Sequence, residues 1–273
     1  MAIIPSVRDF TPRIEPKQVV VSLTSFPAAI PYAIRAIQSI LDGTVHPDKI
    51  VLYLTFSQFN EGKIPQELRA LSDKNPVFEI RNYDEDIRSY RKLIPALKDF
   101  PDAIIVTVDD DVSYHKNMLR DLLRLHRQIP DVILAHRAKQ LKMNAPYRKW
   151  KKYRWYNFLT KKLHFNFRNI QTGVGGVLYP PHSLNPKMLD SKTFMEVSPT
   201  TDDIWFWAAA AANGTKVVPF PFGRHNKPRG LKKPKELSLK TVNFKSGIDL
   251  NRAALEKILD SYPVIKQRLE NEN

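Results

Sequence analysis

The sequence predicts an α/β fold built on a mostly parallel central sheet. Short apolar runs rich in β-branched residues alternate with segments of helical spacing through the first half of the chain, and this alternation is typical of strand–helix–strand units. The 273 residues, 42% of them hydrophobic, suit one large domain or one domain with an insertion. No apolar run reaches the roughly 18 residues that a membrane-spanning helix requires.

Four strands and four helices are predicted in the first half of the chain. The strand segments are 19–26, 50–55, 77–83 and 103–108, and the helical segments are 31–43, 65–72, 84–99 and 117–127. The first helix carries Ile34, Ile37 and Leu41 on one face and ends at Gly43. In the third helix Pro95 has to lie at a bend or at a helix start, because proline cannot donate a backbone hydrogen bond.

The second half has a less regular pattern. Strands are predicted at 132–137, 175–181 and 215–220, and helices at 203–214 and 250–262. A basic and aromatic insertion covers 149–168, and its stretch YRKWKKYRWYNF (147–158) suits a membrane interface or a platform for a sugar. A packed aromatic insertion with lysine stems lying along apolar surface accounts for the same pattern.

The net charge of +15 is distributed unevenly. Residues 132–189 and 204–235 contain no acidic side chain. A basic half of this kind favours partners that carry phosphate, namely a nucleotide, a nucleic acid or an anionic membrane, although it can also serve only as a solubilising surface. The chain has no cysteine, which excludes disulfides, zinc–thiolate sites and thiol nucleophiles. Its N-terminal segment lacks a signal-peptide layout, so we expect a cytoplasmic protein.

The stretch AIIVTVDDDVSY (103–114) places three carboxylates directly after a buried strand. Each like-charge pair costs roughly 3 kcal/mol at about 5 Å and an effective dielectric of about 20. Mg²⁺ or Mn²⁺ would offset this repulsion, because such ions are commonly held by one or two carboxylates plus substrate phosphates. Asp109 and Asp111 can share an ion while Asp110 points elsewhere. A solvated turn that caps the next helix is the alternative.

Two further segments carry candidate site residues. TTDD before WFWAAAA is a helix start, where one carboxylate suffices for capping and a second is free to act as a general base. Capping alone is the alternative. Gly173, Gly175 and Gly176 allow either a close approach of the backbone to a ligand or a tight entry into a strand. Their spacing is not that of a dinucleotide or Walker site.

Five segments occur in an order that resembles one known family. They are VVVSLTSFP, DEDIRSYRKLIPAL, FPDAIIVTVDDDVSY, QTGVGGVLYPP and TTDDIWFWAAAA. Together they resemble the bacterial GT-A fold glycosyltransferases that build surface polysaccharide or lipopolysaccharide. The likeness implies a Rossmann-like nucleotide-diphospho-sugar transferase fold with a mostly parallel central sheet and the basic, aromatic insertion in its second half. It divides the chain into an N-terminal arm (1–18), a nucleotide-sugar-binding half (19–115), an acceptor-binding half (116–240) and a C-terminal helical segment (241–273).

The resemblance implies a metal site around the acidic cluster. Asp109, Asp110 and Asp111 match the DxD motif of these enzymes. Asp111 would bind a Mn²⁺ or Mg²⁺ ion directly, Asp109 would lie at the metal or the ribose, and Asp110 is counted with the donor-binding residues. His225, in GRHNKPRG, would be a third metal ligand. A basic-loop histidine without a metal is the alternative.

The resemblance also implies the donor end of the site. Thr24 and Ser25, at the end of the first strand, lie where such enzymes hold the nucleoside. Lys92 would approach the donor, and a surface helix lysine is the alternative. A UDP-sugar is the favoured donor and a GDP-sugar the second. Ala28-Ala29 replaces the basic residue that many relatives carry after the first-strand proline, so the recognition of the base departs from the family pattern.

The implied reaction is sugar transfer, with inversion, to a hydroxyl of a glycan or glycolipid acceptor such as lipopolysaccharide, capsule or a lipid-linked oligosaccharide. Asp203 is the expected base, with Asp202 second. The enzyme is expected at the inner face of the cytoplasmic membrane, with an anionic membrane surface as a partner and without nucleic acid. From the residues alone two rivals stay open: a two-metal nuclease using 84–86, 109–111 and 202–203, and a non-catalytic nucleic-acid or membrane binder.

Overall fold

The computed structural model describes residues 18–154, 163–220, 227–232, 234 and 249–272. The strands in these ranges are β1 (Val19–Thr24), β2 (Lys49–Leu54), β3 (Phe78–Asn82), β4 (Ile104–Thr107), β5 (Val112–Ser113), β6 (Ile133–Ala135), β7 (Ala138–Gln140), β8 (Lys151–Lys152), β9 (Asn169–Gln171), β10 (Val177–Tyr179), β11 (Val217–Pro219) and β12 (Arg229–Gly230). The α-helices are α1 (Ile30–Leu41), α2 (Gln66–Lys74), α3 (Ile94–Asp99), α4 (Met118–His126), α5 (Ser191–Val197), α6 (Asp202–Asn213), α7 (Leu250–Ser261) and α8 (Pro263–Glu270). No helix in the described ranges is both long and apolar enough to cross a membrane.

A seven-stranded sheet forms the centre of the molecule, in the order β11–β6–β10–β4–β1–β2–β3. All of its neighbouring pairs are parallel except those of β10, which runs antiparallel to both β4 and β6. The prediction of a mostly parallel sheet is therefore confirmed. Because β1 and β4 are parallel neighbours, their carboxyl ends meet at one edge of the sheet, where ligands of such folds bind.

Apolar side chains cover both faces of this sheet, because successive strand residues point to opposite sides. Helix α1 packs on one face through Ile30, Ile37 and Ile40. Helix α6 packs on the other face and is buried on all sides from Ile204 to Ala211. Because its alanine side chains are small, neighbouring elements can pack closely against the backbone of this helix. The start of this buried helix carries the predicted acidic pair.

The indole groups of α6 are satisfied although they are buried. Trp205 donates its indole N–H to the carbonyl of Met188 at 2.7 Å, and Trp207 donates to the carbonyl of Phe167 at 2.7 Å. The C-terminal helix α8 adds a further brace, because the Arg268 guanidinium donates to the carbonyl of Ala211. Helix α6 is thus held at both its sides and its end, which gives the acidic pair a rigid support.

The structure differs from the predicted helix at 84–99. A 3₁₀ turn covers Arg88–Lys92, and only α3 is α-helical, with Pro95 in its first turn as one of the two predicted positions. Arg88 has φ of 52°, in the left-handed region that interrupts a helix. The turn buries the side chains of Arg91 and Lys92, so this segment directs charge inward instead of presenting a continuous amphipathic face.

Several elements were not predicted from the sequence. A second sheet of three short strands, in the order β8–β7–β9, lies in the basic second half. Helices α5 and α8 were also not predicted. Strand β5 follows the acidic cluster and pairs with β12. Of the predicted insertion at 149–168, residues 155–162 lie outside the described part of the chain, as do residues 1–17 of the predicted arm.

Candidate active site

A buried lysine joins two of the acidic segments that the sequence singled out. Lys92 is only 7% exposed, and its Nζ lies 3.1 Å from Oδ1 of Asp109 and 3.0 Å from Oδ2 of Asp202. Burial by itself lowers the pKa of Lys92, but the charges of Asp109, Asp202 and Asp203 raise it well above its ordinary value. The lysine therefore stays charged, and the alternative of a surface helix lysine is wrong.

Asp203 is a partly buried carboxylate with an unusual proton affinity. The backbone N–H of Gly173 donates to both its oxygens, at 3.2 Å and 3.3 Å. Burial and then the neighbouring charge of Asp202 raise the pKa of Asp203 to about 7, against the opposing effect of Lys92 and the Gly173 N–H. Near neutral pH this group can both accept and release a proton.

Capping does not account for the acidic pair at the start of α6. The residue at the N-cap position is Thr201, which makes no side-chain capping bond. Asp202 instead accepts a hydrogen bond from the hydroxyl of Ser89 at 2.8 Å and pairs with Lys92, while Asp203 accepts from Gly173. Both carboxylates thus bind groups from other parts of the fold, so the capping-only interpretation is wrong.

Gly173 lies against the ion pair between Lys92 and Asp109. A Cβ atom at this position would lie 2.7 Å from Oδ1 of Asp109 and 2.8 Å from Nζ of Lys92. A side chain at this position would therefore displace the ion pair, whereas glycine lets the backbone lie against it and still reach Asp203. Gly176 has φ of 88°, and its left-handed conformation turns the chain into β10. Gly176 thus serves the strand entry, whereas the approach of the backbone to a ligand at these glycines stays a prediction.

The carboxyl ends of β1 and β4 are tied together by side chains. Ser25 donates its hydroxyl hydrogen to Oδ2 of Asp110 at 2.7 Å. The hydroxyl of Thr24 donates to the carbonyl of Tyr53 at 2.9 Å, on the next strand. The backbone N–H of Asp109 donates to the phenol oxygen of Tyr114 at 2.8 Å. The structure thus brings Ser25 to the acidic cluster, whereas the Thr24 hydroxyl is engaged with the sheet.

A basic segment adjoins the third carboxylate of the cluster. Strand β12 pairs with β5, and the N–H of Leu231 donates to the carbonyl of Asp111 at 2.8 Å. This pairing holds Lys227, Arg229 and Lys232 in a short segment beside the end of the acidic cluster. The predicted third ligand, His225, lies outside the described residues.

The donor atoms around the acidic cluster fit a hard divalent ion shared with a substrate. Asp109 and Asp111 provide carboxylate oxygens, which Mg²⁺ and Mn²⁺ prefer. Among the described residues, no group of three or more His, Asp or Glu side chains could hold a metal ion. Two carboxylates with phosphate oxygens from a ligand are a sufficient set for these ions.

The carboxylates of the acidic segment at 84–86 bond to neighbouring residues and not to the acidic cluster. Asp84 accepts from the side-chain amide of Asn82 at 2.6 Å, and Asp86 pairs with Arg91 at 2.9 Å. These local contacts account for the segment, so no observation favours the two-metal nuclease.

Sequence reasoning missed two residues of the site. Ser89 contacts Asp202 from the 3₁₀ turn. The only signal for it in the sequence was its position in the SYRKL segment. Tyr147 is partly buried, and its pKa is raised by burial and then by the charge of Asp203. Its position at the start of YRKWKKYRWYNF was a usable signal, but no spacing rule connects that stretch to α6.

Comparison with known proteins establishes the fold. No protein-family model and no curated protein matches the chain. Among solved structures, the chain is similar to the mannosyltransferase PcManGT from Pyrobaculum calidifontis in complex with GDP-Man and Mn²⁺, with a TM-score of 0.52 and 13% identity over 95% of this chain and 76% of that one. The chain therefore has the Rossmann-like GT-A fold of nucleotide-sugar glycosyltransferases that the sequence predicted.

Proposed function

We propose that this protein is a metal-dependent glycosyltransferase that moves a sugar from a nucleotide-sugar donor to an acceptor hydroxyl with inversion. One observation carries the proposal: Lys92 joins Asp109, at the end of β4, to Asp202, which stands next to a carboxylate with a pKa of about 7. A candidate metal and diphosphate end and a candidate base thus belong to one cluster. The fold, shared with a transferase solved with GDP-Man and Mn²⁺, supports the same activity.

Asp203 is the proposed general base. Its carboxylate takes the proton of the acceptor hydroxyl as the hydroxyl oxygen forms a new bond to the anomeric carbon of the donor sugar. The bond between that carbon and the diphosphate oxygen breaks, and its electron pair leaves with the nucleoside diphosphate. A pKa of about 7 suits this role, because a base near the working pH is available and still strong enough to accept the proton.

The other residues bind and orient. Asp109 and Asp111 would hold the divalent ion, which when bound stabilises the charge that develops on the diphosphate. Lys92 fixes the carboxylates of Asp109 and Asp202, and Ser89 holds Asp202 from the other side. Asp202 in turn keeps the pKa of its neighbour high through its negative charge.

The donor and acceptor are proposed by class. Thr24, Ser25 and Asp110 stand at the edge of the sheet where the nucleoside would bind, and UDP- and GDP-linked sugars are both candidate donors, the second because the structural neighbour holds GDP-Man. The acceptor is proposed to be a glycan or glycolipid of the bacterial surface, presented at the cytoplasmic face of the membrane. The strongly basic second half favours an acceptor with anionic groups.

Thermal unfolding with Mn²⁺ and a panel of UDP-, GDP- and CDP-linked sugars tests the donor. A ligand at 100 times its dissociation constant adds about 2.7 kcal/mol to stability, so a Mn²⁺-dependent increase in Tm with one base is the expected result. The absence of a shift with every donor, together with a shift on adding DNA, would overturn the proposal.

The variant Asp203→Asn tests the base. It should bind the donor with Mn²⁺ as the wild type does but lose sugar transfer by roughly 100-fold or more, the usual contribution of a general base. Asp102→Asn is the matched control, because Asp102 is an exposed carboxylate at the opposite end of β4. Retained transfer in Asp203→Asn would exclude this residue as the base.

A further inference from the structure

Three cations gather on the small sheet beside the proposed base. Lys139 of β7 stands directly opposite Lys152 of β8 in the antiparallel register. Arg137 lies in the bend just before β7, close enough for its charge to act on Lys139. Like charges in directly opposed strand positions destabilise a sheet, so the stability of the sheet itself does not account for this arrangement.

Among the described residues, the central cation makes no direct ion pair with a carboxylate. Lys139 is buried, its Nζ donates to the carbonyl of Tyr147 at 2.9 Å, and the same nitrogen lies 3.2 Å from the centre of the Tyr147 ring. Burial, followed by the charges of Lys152 and Arg137, lowers the pKa of Lys139 to about 8. The charge of Asp249 acts in the opposite direction but is the smallest of these influences.

The two outer cations have free hydrogen-bonding capacity. Within the described part of the chain, neither the half-buried guanidinium of Arg137 nor the exposed amine of Lys152 makes a hydrogen bond or an ion pair. The charge of Arg137 reaches Tyr147, as does that of Asp203. An anion placed between Arg137 and Lys152 would relieve the repulsion among all three cations.

The position of this cluster relates it to the acceptor. The N–H of Thr172 donates to the carbonyl of Arg137 at 2.9 Å, and the next residue, Gly173, donates to Asp203. Gly173 also lies against Asp109, at the carboxyl end of β4 in the central sheet, where the donor phosphates are proposed to bind. The cations therefore adjoin the base on a sheet that the donor end does not use.

We propose that Arg137, Lys139 and Lys152 form a subsite for a phosphate group carried by the acceptor, next to the hydroxyl that Asp203 deprotonates. Arg137 and Lys152 contact the phosphate oxygens, and the buried Lys139 contributes its positive charge without direct contact. This assignment to the acceptor rests on the proposed transferase function, whereas the affinity of the subsite for phosphate does not.

Binding of inorganic phosphate in the presence of EDTA tests the subsite apart from any metal-bound donor. Arg137→Gln combined with Lys152→Gln should raise the phosphate concentration for half-maximal thermal stabilisation at least about tenfold. Lys151→Gln is the matched control, because Lys151 is an equally exposed lysine that stands opposite Gln140 on the other face of the same strands. Equal phosphate binding by wild type and double variant would overturn the proposal. Should the double variant fail to fold, Lys152→Gln alone serves the same comparison, since its side chain is exposed.

Two further measurements distinguish an acceptor subsite from a donor contact and from a membrane contact. Binding of the nucleoside diphosphate with Mn²⁺ should be the same in the double variant and the wild type. Loss of this binding in the double variant would assign the cations to the donor and overturn the acceptor subsite.

Sedimentation with vesicles tests for a membrane contact. The vesicles consist of phosphatidylcholine with or without phosphatidylglycerol, and soluble mannose 6-phosphate is added to saturate the subsite. Under these conditions the wild type and the double variant should bind the vesicles equally. Vesicle binding that depends on both residues without any affinity for soluble phosphates would replace the subsite by a membrane contact. Failure of the transferase itself is a different result, namely no Mn²⁺-dependent donor binding in the wild type.

Discussion

Two features of the surroundings of Asp203 have opposite effects on its pKa. It stands beside a second carboxylate in a partly buried place, which raises its pKa, and yet it receives the N–H of Gly173, which favours its ionised form. A structural carboxylate would be expected to have a full ion-pair partner of its own, but the nearby cation, Lys92, is engaged by Asp109 and Asp202. This division of partners leaves Asp203 poised to exchange a proton near neutral pH.

Asp203→Asn should change how stability depends on pH. The pKa is raised from 3.8 to about 7 in the folded protein, so between these values the native state retains a proton that the unfolded chain has released. The contribution of this group to stability therefore falls as the pH rises through that window. The variant lacks this contribution, and its stability relative to the wild type should be greater at about pH 8 than at about pH 5.

Urea denaturation at the two pH values measures this difference. Asp102→Asn, which removes an exposed carboxylate, should follow the wild type at both. Parallel pH dependences of the Asp203→Asn variant and the wild type would show that the carboxyl group of Asp203 has an ordinary pKa in the folded protein.

The 3₁₀ turn at Arg88–Lys92 is the element that assembles the site. It presents Ser89 and Lys92 to Asp202 and Lys92 to Asp109, so one short segment binds both the end of β4 and the start of α6. A regular helix over the same residues would distribute these side chains around its axis. The irregular geometry, including the left-handed conformation of Arg88, therefore serves the side chains that the turn directs inward.

Lys92→Met should destabilise the protein strongly, although the methionine side chain has a volume similar to that of lysine. The substitution leaves Asp109 and Asp202 without their common cation, and removing one partner of a buried ion pair typically costs about 3–5 kcal/mol. Chemical denaturation measures the loss of stability, with Lys98→Met on the exposed end of α3 as the control. A loss no larger than that of the control would mean that water and local rearrangement compensate the carboxylates.

The elements that follow a clear period were predictable, and those shaped by distant partners were not. The strands at 19–24, 49–54 and 104–107 are short apolar runs, and α6 begins at the TTDD signal, so local pattern sufficed. The turn at 88–92 depends on carboxylates that lie far away in the sequence. The strands of the small sheet are only two or three residues long, too short for any period to appear.

In the candidate site, too, local sequence patterns predicted some residues, while others depend on contacts between distant segments. The residue types, three aspartates after a strand and two at a helix start, were sufficient to single out both carboxylate groups. The lysine that joins them was recognised only through the family resemblance, since a lysine between Arg91 and Leu93 has no distinctive pattern of its own. The cations of β7 and β8 were visible as charge but not as a cluster, because their register depends on pairing between strands.

At the scale of the whole molecule, one sheet unites the two halves of the chain. Strand β10, from the second half, pairs with β4 through Val177 opposite Thr107 and Tyr179 opposite Ile105. Both faces of the sheet are covered by apolar clusters that draw on both halves. The donor and acceptor ends of the proposed site thus belong to one continuous core.

Thermal unfolding of the protein should accordingly occur in a single cooperative transition. The two halves share strand pairs and both apolar clusters, so neither can lose its structure without exposing the core of the other. Differential scanning calorimetry is the measurement, with agreement between the calorimetric and van't Hoff enthalpies as the expected result. Two resolved transitions would show that the halves are energetically separate.

The burial of α6 from Ile204 to Ala211 has a consequence for how the sequence of this protein can vary. The proposed base stands on a helix whose every side from Ile204 to Ala211 meets other atoms, so substitutions there disturb folding before they can alter chemistry. On the small sheet, by contrast, Lys152 is exposed on the edge strand β8 and Arg137 is half-buried just before β7. Under the proposed transferase function, sequence changes that alter the choice of acceptor should therefore accumulate around these cations while the helix stays nearly invariant. A library intended to alter acceptor choice is best confined to these positions.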